Sequence, residues 1–523
     1  MQEKLVELAD YATHINSFQA WFNLGFLAQR LFFHQAAIEY YEKSASLARV
    51  QGDNENVSRV LFSLGSLYGE EEDWNRACEC YEKALLALKG CEKSSLMRPI
   101  LGNLGSIYRL QGEYHQAASC YSRVLDVLDS DDRIGRADAL DNLGDIYQMQ
   151  GDLSRAEECY HECLSERELA HDLNGTARAL AALSSIYQLT GNGKRAQSCL
   201  EAARHHLEDL DDKAGSAGMQ NRLGDMYFQE GRFIEALDSY EKCTLALQES
   251  DPSLASQALC RMAQCFLEQG ELIPAEDHLQ RSIAIMEGLG DSCAMADALI
   301  LLAGVHRRQG LTEEALLCSR KCLEIKEQRK DRSGVVAALN YVGLIQTERQ
   351  DFAMAEECYQ RVAVLSMENG ESLSEAEALS NLGSIHHLQG ELEKAMDYYG
   401  RALEIFDRLG NRLGSSQTQS NLGLIYQRKG DLSLAQDYFQ KSIDAKEQLG
   451  DDQGAATTKL NLGLVLQIKG EWDLAKSNFE EASLAFEDLG DVRGVAAAQN
   501  NLGNLHSDRG DSLQAILCYN LSL

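Results

Sequence analysis

The feature that most constrains this chain is a unit of 39 or 40 residues that recurs along its whole length. In each unit a small residue, here called the anchor, is followed twelve positions later by an alanine. The thirteen anchors are Gly25, Gly65, Gly105, Gly144, Ser184, Gly224, Ala263, Ala303, Gly343, Gly383, Gly423, Gly463 and Gly503. A period of about 20 to 50 residues is typical of stacked arrays. The sequence therefore predicts a single array over residues 1–523, in which residues 1–15 are part of a preceding helix.

Signals inside the unit predict two helices joined by a turn. Most units have a glycine seven residues after the anchor, and glycine readily adopts the left-handed conformation that ends a helix. Apolar residues such as Leu104 and Ile107 flank the anchor at helical spacing. Ten units have Tyr or Phe sixteen residues after the anchor, as at Tyr41. We expect the small anchor to let the two helices approach closely, with the aromatic side chain beside it.

These motif positions resemble the tetratricopeptide repeat, through Trp21-Leu24-Gly25-Ala37-Tyr41 and Leu64-Gly65-Tyr68-Ala77-Tyr81-Ala84. The longer period, compared with the usual one of about 34 residues, is similar to that of kinesin light chain and of the spindle-orientation protein with Leu-Gly-Asn repeats. The resemblance implies an all-α fold, a right-handed superhelical solenoid of about 13 antiparallel helix-turn-helix repeats.

Composition narrows the classes of partner. A net charge of −32 disfavours nucleic acid and anionic membrane surfaces, both of which need Lys and Arg, so we expect a basic or neutral protein or peptide segment. The N-terminus has no basic segment followed by an apolar core, which predicts a cytoplasmic location. No catalytic motif or cofactor site is recognisable, and the chain is predicted not to be an enzyme.

The fifteen cysteines are expected to be reduced packing residues, because many occupy equivalent positions of different units. Cys159, His161 and Cys163 form one group that has a metal-binding alternative, and Cys318 with Cys322 forms another. Packing is the favoured interpretation for both groups.

The position two residues before the anchor carries the main candidate for partner binding. Asparagine occurs there at Asn23, Asn103, Asn142, Asn381, Asn421, Asn461 and Asn501. A carboxamide both donates and accepts hydrogen bonds, so it is able to pair with a peptide backbone whatever the side chain. The ladder resembles the one lining the tetratricopeptide array of O-linked N-acetylglucosamine transferase. The alternative is that these asparagines bond neighbouring helices.

Two charged groups are further candidates. Asp138, Asp141 and Asp145 share one helical face with Asn142, and Asp225 is equivalent to Asp145 two units later. They are predicted either to receive Lys or Arg from a partner or to form an ordinary solvated face. A small basic group is predicted to hold a ligand carboxylate, and it consists of Arg261, Arg307 and Arg308.

These features favour a non-enzymatic scaffold that binds an extended or partly helical partner segment in its concave groove. One alternative is a regulatory or substrate-recruiting region of a larger multidomain signalling protein or enzyme. Another is a sensor whose superhelix closes around a short peptide. The absence of a polar capping helix after the last unit favours a segment of a longer protein.

Overall fold

The computed structural model describes residues 2–90, 94–247 and 250–522. Within these ranges the chain forms twenty-seven α-helices and no strand, which confirms the predicted all-α class. Met1 and Leu523, the ends of the predicted array, lie outside the described residues.

The chain divides into two compact units, residues 1–265 and 266–523. The helices that begin in the first unit are α1 Gln2–Ile15, α2 Phe18–Arg30, α3 His34–Val50, α4 Asn54–Glu70, α5 Trp74–Ala87, α6 Met97–Leu110, α7 Tyr114–Val127, α8 Arg133–Met149, α9 Leu153–Leu169, α10 Leu173–Leu189, α11 Gly193–Asp209, α12 Lys213–Gln229, α13 Phe233–Leu247 and α14 Pro252–Glu268. The helices that begin in the second unit are α15 Leu272–Leu289, α16 Ser292–Gln309, α17 Thr312–Gln328, α18 Arg332–Glu348, α19 Phe352–Asn369, α20 Ser372–Leu388, α21 Leu392–Leu409, α22 Arg412–Lys429, α23 Leu432–Leu449, α24 Asp452–Lys469, α25 Trp472–Asp488, α26 Val492–Asp508 and α27 Ser512–Ser522.

Helical hairpins are the building block of both units. Each anchor lies in an even-numbered helix, and the alanine twelve residues later lies in the odd-numbered helix that follows. In the first unit α2 packs against α3, and the pairing recurs up to α12 with α13. In the second unit it runs from α16 with α17 to α26 with α27. The predicted helix-turn-helix repeat is therefore confirmed.

The anchor glycines make room for an aromatic ring of the same hairpin. A Cβ atom added to Gly383 would lie 2.8 Å from Cδ1 of Tyr399, and one added to Gly144 would lie 2.6 Å from Cε1 of Tyr160. All ten glycine anchors are followed sixteen residues later by Tyr or Phe. The three other anchors are followed there by Leu200, Leu279 and Ser319. The ring therefore lies directly against the anchor, closer than the sequence alone indicated.

Every anchor helix ends at a left-handed residue seven positions after its anchor. Ten of these thirteen residues are glycine, as at Gly430 with φ of 83°. The other three are Phe32, Glu72 and Gln350, with φ of 60°, 59° and 62°. The turn thus has the same backbone conformation in all units, whether or not glycine is present.

Aspartate side chains cap the start of many anchor helices. Asp451 accepts a hydrogen bond from the backbone N–H of Gly454 at 2.9 Å, the usual N-cap contact. The glycine three residues after the cap also packs against the preceding helix, since a Cβ atom on Gly334 would lie 2.6 Å from Cδ of Lys326. This glycine lets the end of one hairpin and the start of the next pack closely.

Candidate functional site

In the second unit, the four asparagines that lie two residues before an anchor have free hydrogen-bonding groups. They lie on consecutive anchor helices, α20, α22, α24 and α26, and all are partly exposed. None of their carboxamides makes a hydrogen bond within the described part of the chain, which gives no support there to the alternative that they bond neighbouring helices. These four are Asn381, Asn421, Asn461 and Asn501; we call them the asparagine ladder.

In the first unit, the three asparagines that lie two residues before an anchor are already hydrogen-bonded. Asn103 donates to the hydroxyl of Tyr81 at 3.1 Å, and Asn142 donates to the backbone carbonyl of Asp138 at 2.7 Å. Asn23 accepts a hydrogen bond from Gln19 at 2.8 Å. Each contact occupies one hydrogen-bonding group of the carboxamide and holds the side chain in place, so the same residue type at the same motif position has a different availability in the two units.

Apolar side chains lie on the same helical face as the ladder. Residues one and five positions after the anchor share this face with the asparagine two positions before it, by helical spacing. Leu388 and Ile468 are 62% and 63% exposed, and Leu424 and Leu464 are partly exposed. A segment lying on this face would therefore meet amide and apolar groups side by side.

In many units the residue after the anchor is matched to the aromatic residue of the same unit. Where that residue is tyrosine, a polar neighbour often bonds its hydroxyl, as Ser384 does with Tyr399 at 2.9 Å. Where it is phenylalanine, at Phe439 and Phe479, the position after the anchor is Leu424 and Leu464. The two leucines directly after an anchor on the ladder face thus occur in units whose aromatic residue has no hydroxyl that needs a partner.

The carboxylates of the predicted acidic patch are paired with arginines. Asp138 bonds Arg167 at 2.5 Å. The other pairs join Asp141 to Arg178 at 3.2 Å, Asp145 to Arg109 at 3.3 Å and Asp225 to Arg261 at 3.5 Å. Burial is the main cause that raises the pKa of Asp141, and the charge of Asp145 adds to it. A basic partner would have to compete with these arginines.

Part of this patch lines a small cavity of the first unit. Asn103, Asn142 and Asp138 border a space of about 260 Å³ together with Arg98 and Tyr121. The sequence alone did not indicate Arg98, because Arg98 lies outside the motif positions that the units share. The structure therefore brings these three predicted residues together, while Asp225 belongs to α12, two anchor helices later.

The predicted basic group is divided between the two units. Arg261 belongs to the first unit, where it also donates to Gln264 at 3.1 Å. In the second unit Arg307 pairs with Glu348 at 2.7 Å, and Arg308 donates to the backbone carbonyl of Leu267 at 3.1 Å. All three guanidinium groups already have partners, and carboxylate binding by them stays a prediction.

The described cysteines give little geometric support to the metal-binding alternative. The fourteen described cysteines are free thiols, and burial raises the pKa of Cys163 to about 11. In the described ranges no three His, Cys, Asp or Glu side chains are grouped as a metal site would require.

No helix in the described part of the chain has the length and apolar character needed to span a membrane.

Two family models match the sequence. The model described as "Tetratricopeptide repeat" matches residues 16–89, 96–165, 374–448 and 454–523, which is more than half of the chain. The model described as "MalT-like TPR region" matches residues 168–335. No curated protein matches the chain in sequence.

Solved structures show a similar fold at low sequence identity. A signal transduction ATPase with numerous domains from Pyrococcus horikoshii, which has a tetratricopeptide repeat sensor, matches with a TM-score of 0.51 and 14% identity, covering 91% of this chain and 74% of that chain. Aspartyl phosphate phosphatase F from Bacillus subtilis matches with a TM-score of 0.44 and 13% identity, over 68% of this chain and 94% of that chain. At 14% identity the first match shows the fold alone.

Proposed function

The chain belongs to the tetratricopeptide repeat family, and from that membership we propose that it is a non-enzymatic scaffold for a partner protein. The partner contributes an extended or partly helical segment. That segment lies along the asparagine ladder in the concave groove that repeats of this family form. Binding to a protein segment is the kind of function that this family supports, and the ladder is the more specific part of the proposal.

One observation carries the proposal: the ladder carboxamides are partly exposed, regularly placed and without a hydrogen bond in the described structure. Such groups are able to pair with backbone N–H and C=O groups of an extended segment. Neighbouring anchor helices lie roughly 10 Å apart, and an extended chain rises about 3.3 Å per residue. Each asparagine would then address about every third residue of the segment.

The net charge of the chain and the exposed apolar residues of the ladder face describe the partner further. A chain with a net charge of −32 repels nucleic acid and anionic lipid, and we propose a basic or neutral cytoplasmic segment as the partner. The exposed Leu388 and Ile468 favour a segment with apolar side chains on the side that faces the ladder.

The test is affinity capture with mass spectrometry on the whole chain, comparing the wild type with a variant in which all four ladder asparagines are alanine. We expect the captured partner to bind the variant at least about tenfold more weakly, because a net hydrogen bond contributes about 1 kcal/mol and several are lost together. Circular dichroism checks that the variant is folded.

The matched control replaces Asn23, Asn103 and Asn142 by alanine. These side chains occupy the same motif position but are bonded within the protein, so we expect a much smaller effect on partner binding. Equal affinity of the wild type and the four-alanine variant would refute the ladder proposal.

A regulatory or substrate-recruiting region of a larger protein is the alternative function. The Pyrococcus horikoshii ATPase, in which a tetratricopeptide repeat sensor occurs within a signalling protein, has this kind of design. Reading the gene on both sides of the present sequence distinguishes the two: an attached catalytic domain favours the alternative.

A further inference from the structure

A position near the end of the second helix, buried in most units, carries a cation in three of them. It lies twenty-three residues after the anchor and is uncharged in most units, as at Leu207, Met286 and Phe406. The exceptions are Arg167, Lys326 and Lys446, which are only 5%, 8% and 6% exposed. A buried charge is costly unless it is paired, so the partners of these three side chains are informative.

Arg167 and Lys326 each have two carboxylate partners. One partner lies six residues before the anchor of the same unit, and the other is the N-cap aspartate of the next anchor helix. Arg167 bonds Asp138 at 2.5 Å and Asp172 at 2.6 Å. The corresponding partners of Lys326 are Asp297 at 2.8 Å and Asp331 at 3.2 Å. Both cations are therefore fully compensated.

Lys446 has no carboxylate partner among the described residues. The position six residues before its anchor is Gln417. The N-cap Asp451 accepts a hydrogen bond from the N–H of Gly454, as the N-cap aspartates of the other two units do from their glycines, but it forms no ion pair with Lys446. The ammonium group of Lys446 donates to the hydroxyls of Thr458 at 2.9 Å and Ser420 at 3.2 Å. Burial lowers the pKa of Lys446, an effect that the charge of Asp451 only partly offsets.

The motif position of the missing carboxylate lies on the ladder face. In the two compensated units, the carboxylates of Asp138 and Asp297 are 50% and 68% exposed although the cations beneath them are buried. Gln417 is exposed at the same motif position, four residues before Asn421 and on the same helical face. A carboxylate that arrives from the ladder face would thus be able to approach Lys446 as Asp138 approaches Arg167.

We propose that the bound segment supplies this carboxylate, from an Asp or Glu side chain that lies beside Gln417 between Asn421 and Asn461 and pairs with Lys446. The weakest donor contact of Lys446, to the carbonyl of Gly454 at 3.4 Å, is the one that the incoming oxygen replaces. The inference rests on the proposed function and adds one acidic position to a segment that is otherwise basic or neutral.

The test selects random dodecapeptides from a display library on the whole chain and then compares each selected peptide with its Asp→Asn or Glu→Gln form. When the selected peptides are aligned with one another, we expect an acidic residue to be enriched at one position. Its replacement by the amide should weaken binding to the wild type about tenfold, as loss of a charge-assisted hydrogen bond does.

Two variants test the assignment independently. Lys446→Met removes the cation and introduces the residue type found at Met286, while Gln417→Asp provides the internal carboxylate that Asp138 and Asp297 provide elsewhere. Either change should bring the ratio between the acid and amide peptides close to one while binding of the amide peptide is retained. Lys326→Met is the matched control and should leave the ratio unchanged.

The outcomes separate the two proposals. Peptides that depend on the ladder asparagines but show no preference for an acid overturn the assignment to Lys446 alone. So does an acid preference that persists in both Lys446→Met and Gln417→Asp. A library that gives no ladder-dependent peptide overturns the proposed function and this inference together.

Discussion

At the scale of single residues, the contact between anchor glycine and aromatic ring restricts both positions of the repeat. The aromatic ring occupies the space of the missing Cβ atom, so the residues at the two positions are not independent. Units with Ser184, Ala263 or Ala303 as the anchor have no aromatic residue sixteen positions later. The presence or absence of a Cβ atom at the anchor thus determines whether the facing helix has room for an aromatic ring beside it.

Gly383→Ala should destabilise the fold by about 1–3 kcal/mol, the usual cost of overpacking, because its Cβ atom would lie 2.8 Å from the Tyr399 ring. Adding Tyr399→Leu should recover part of this loss, since the unit with Ala263 as the anchor combines it with Leu279. Urea unfolding monitored by circular dichroism measures both effects. A double mutant no more stable than Gly383→Ala alone would contradict the steric explanation.

The buried lysines should respond in opposite ways to replacement by methionine. Lys446→Met should leave stability unchanged or raise it, because an uncompensated buried charge is removed. Lys326→Met should lower stability by roughly 1–3 kcal/mol, because Asp297 and Asp331 lose their partner. Urea unfolding at neutral pH measures the free energy of unfolding of both variants. Equal effects of the two changes would contradict the prediction.

The pH dependence of these lysines has opposite signs. The folded state lowers the pKa of Lys446, so the unfavourable contribution of Lys446 diminishes as the pH rises toward its ordinary value of 10.5. Hydrogen bonds and charge from Asp297 and Asp331 outweigh burial and raise the pKa of Lys326. The stabilising contribution of Lys326 is therefore complete below about pH 10.5, and it is lost progressively as the pH rises from there through the raised pKa of the folded state.

At the scale of helices and turns, backbone conformation is more regular than the sequence. All thirteen anchor helices end at a residue with positive φ, but three of these residues have side chains. A left-handed conformation costs a residue with a Cβ atom about 1 kcal/mol relative to glycine. The remaining contacts of the hairpin are evidently sufficient to impose the turn at those three positions.

Gln350→Gly should stabilise the protein by up to about 1 kcal/mol, because it relieves a φ of 62° at an exposed side chain. The matched reverse change is Gly390→Gln at the equivalent position of the next unit, where φ is 80°. That change should destabilise by a similar amount. Thermal unfolding of the two variants beside the wild type tests this, and a shift of the same sign in both would exclude the explanation.

At the scale of the whole molecule, the described residues are held together by helices that pack on one another, with no disulfide between described cysteines. In both compact units the packing partners of a helix are mainly those next to it in the chain. The described cysteines are all free, and several are completely buried, such as Cys163 and Cys243.

A reducing agent should leave the thermal unfolding midpoint unchanged. Iodoacetamide should label Cys163 and Cys243 slowly under native conditions, because both are buried and burial raises their pKa to about 11. Cys293, which is partly exposed, is the internal control and should be labelled sooner. Peptide mapping by mass spectrometry follows each site, and native labelling of all three at one rate would contradict the prediction.

The sequence by itself determined the class of fold, the number of hairpins, the turn positions and the alanines that are buried. It could do so because these depend on local spacing that recurs thirteen times. Family membership was predictable for the same reason.

Only the tertiary structure decided which candidate side chains have partners. Asn142 and Asn421 occupy the same motif position, but Asn142 bonds the carbonyl of Asp138 while the carboxamide of Asn421 has no bond within the described chain. Likewise, Asp138 is paired with Arg167 from the neighbouring helix, and Lys446 has no such carboxylate. Availability for a ligand depends on what the adjacent helix places a few ångströms away, and a one-dimensional repeat pattern does not contain that information.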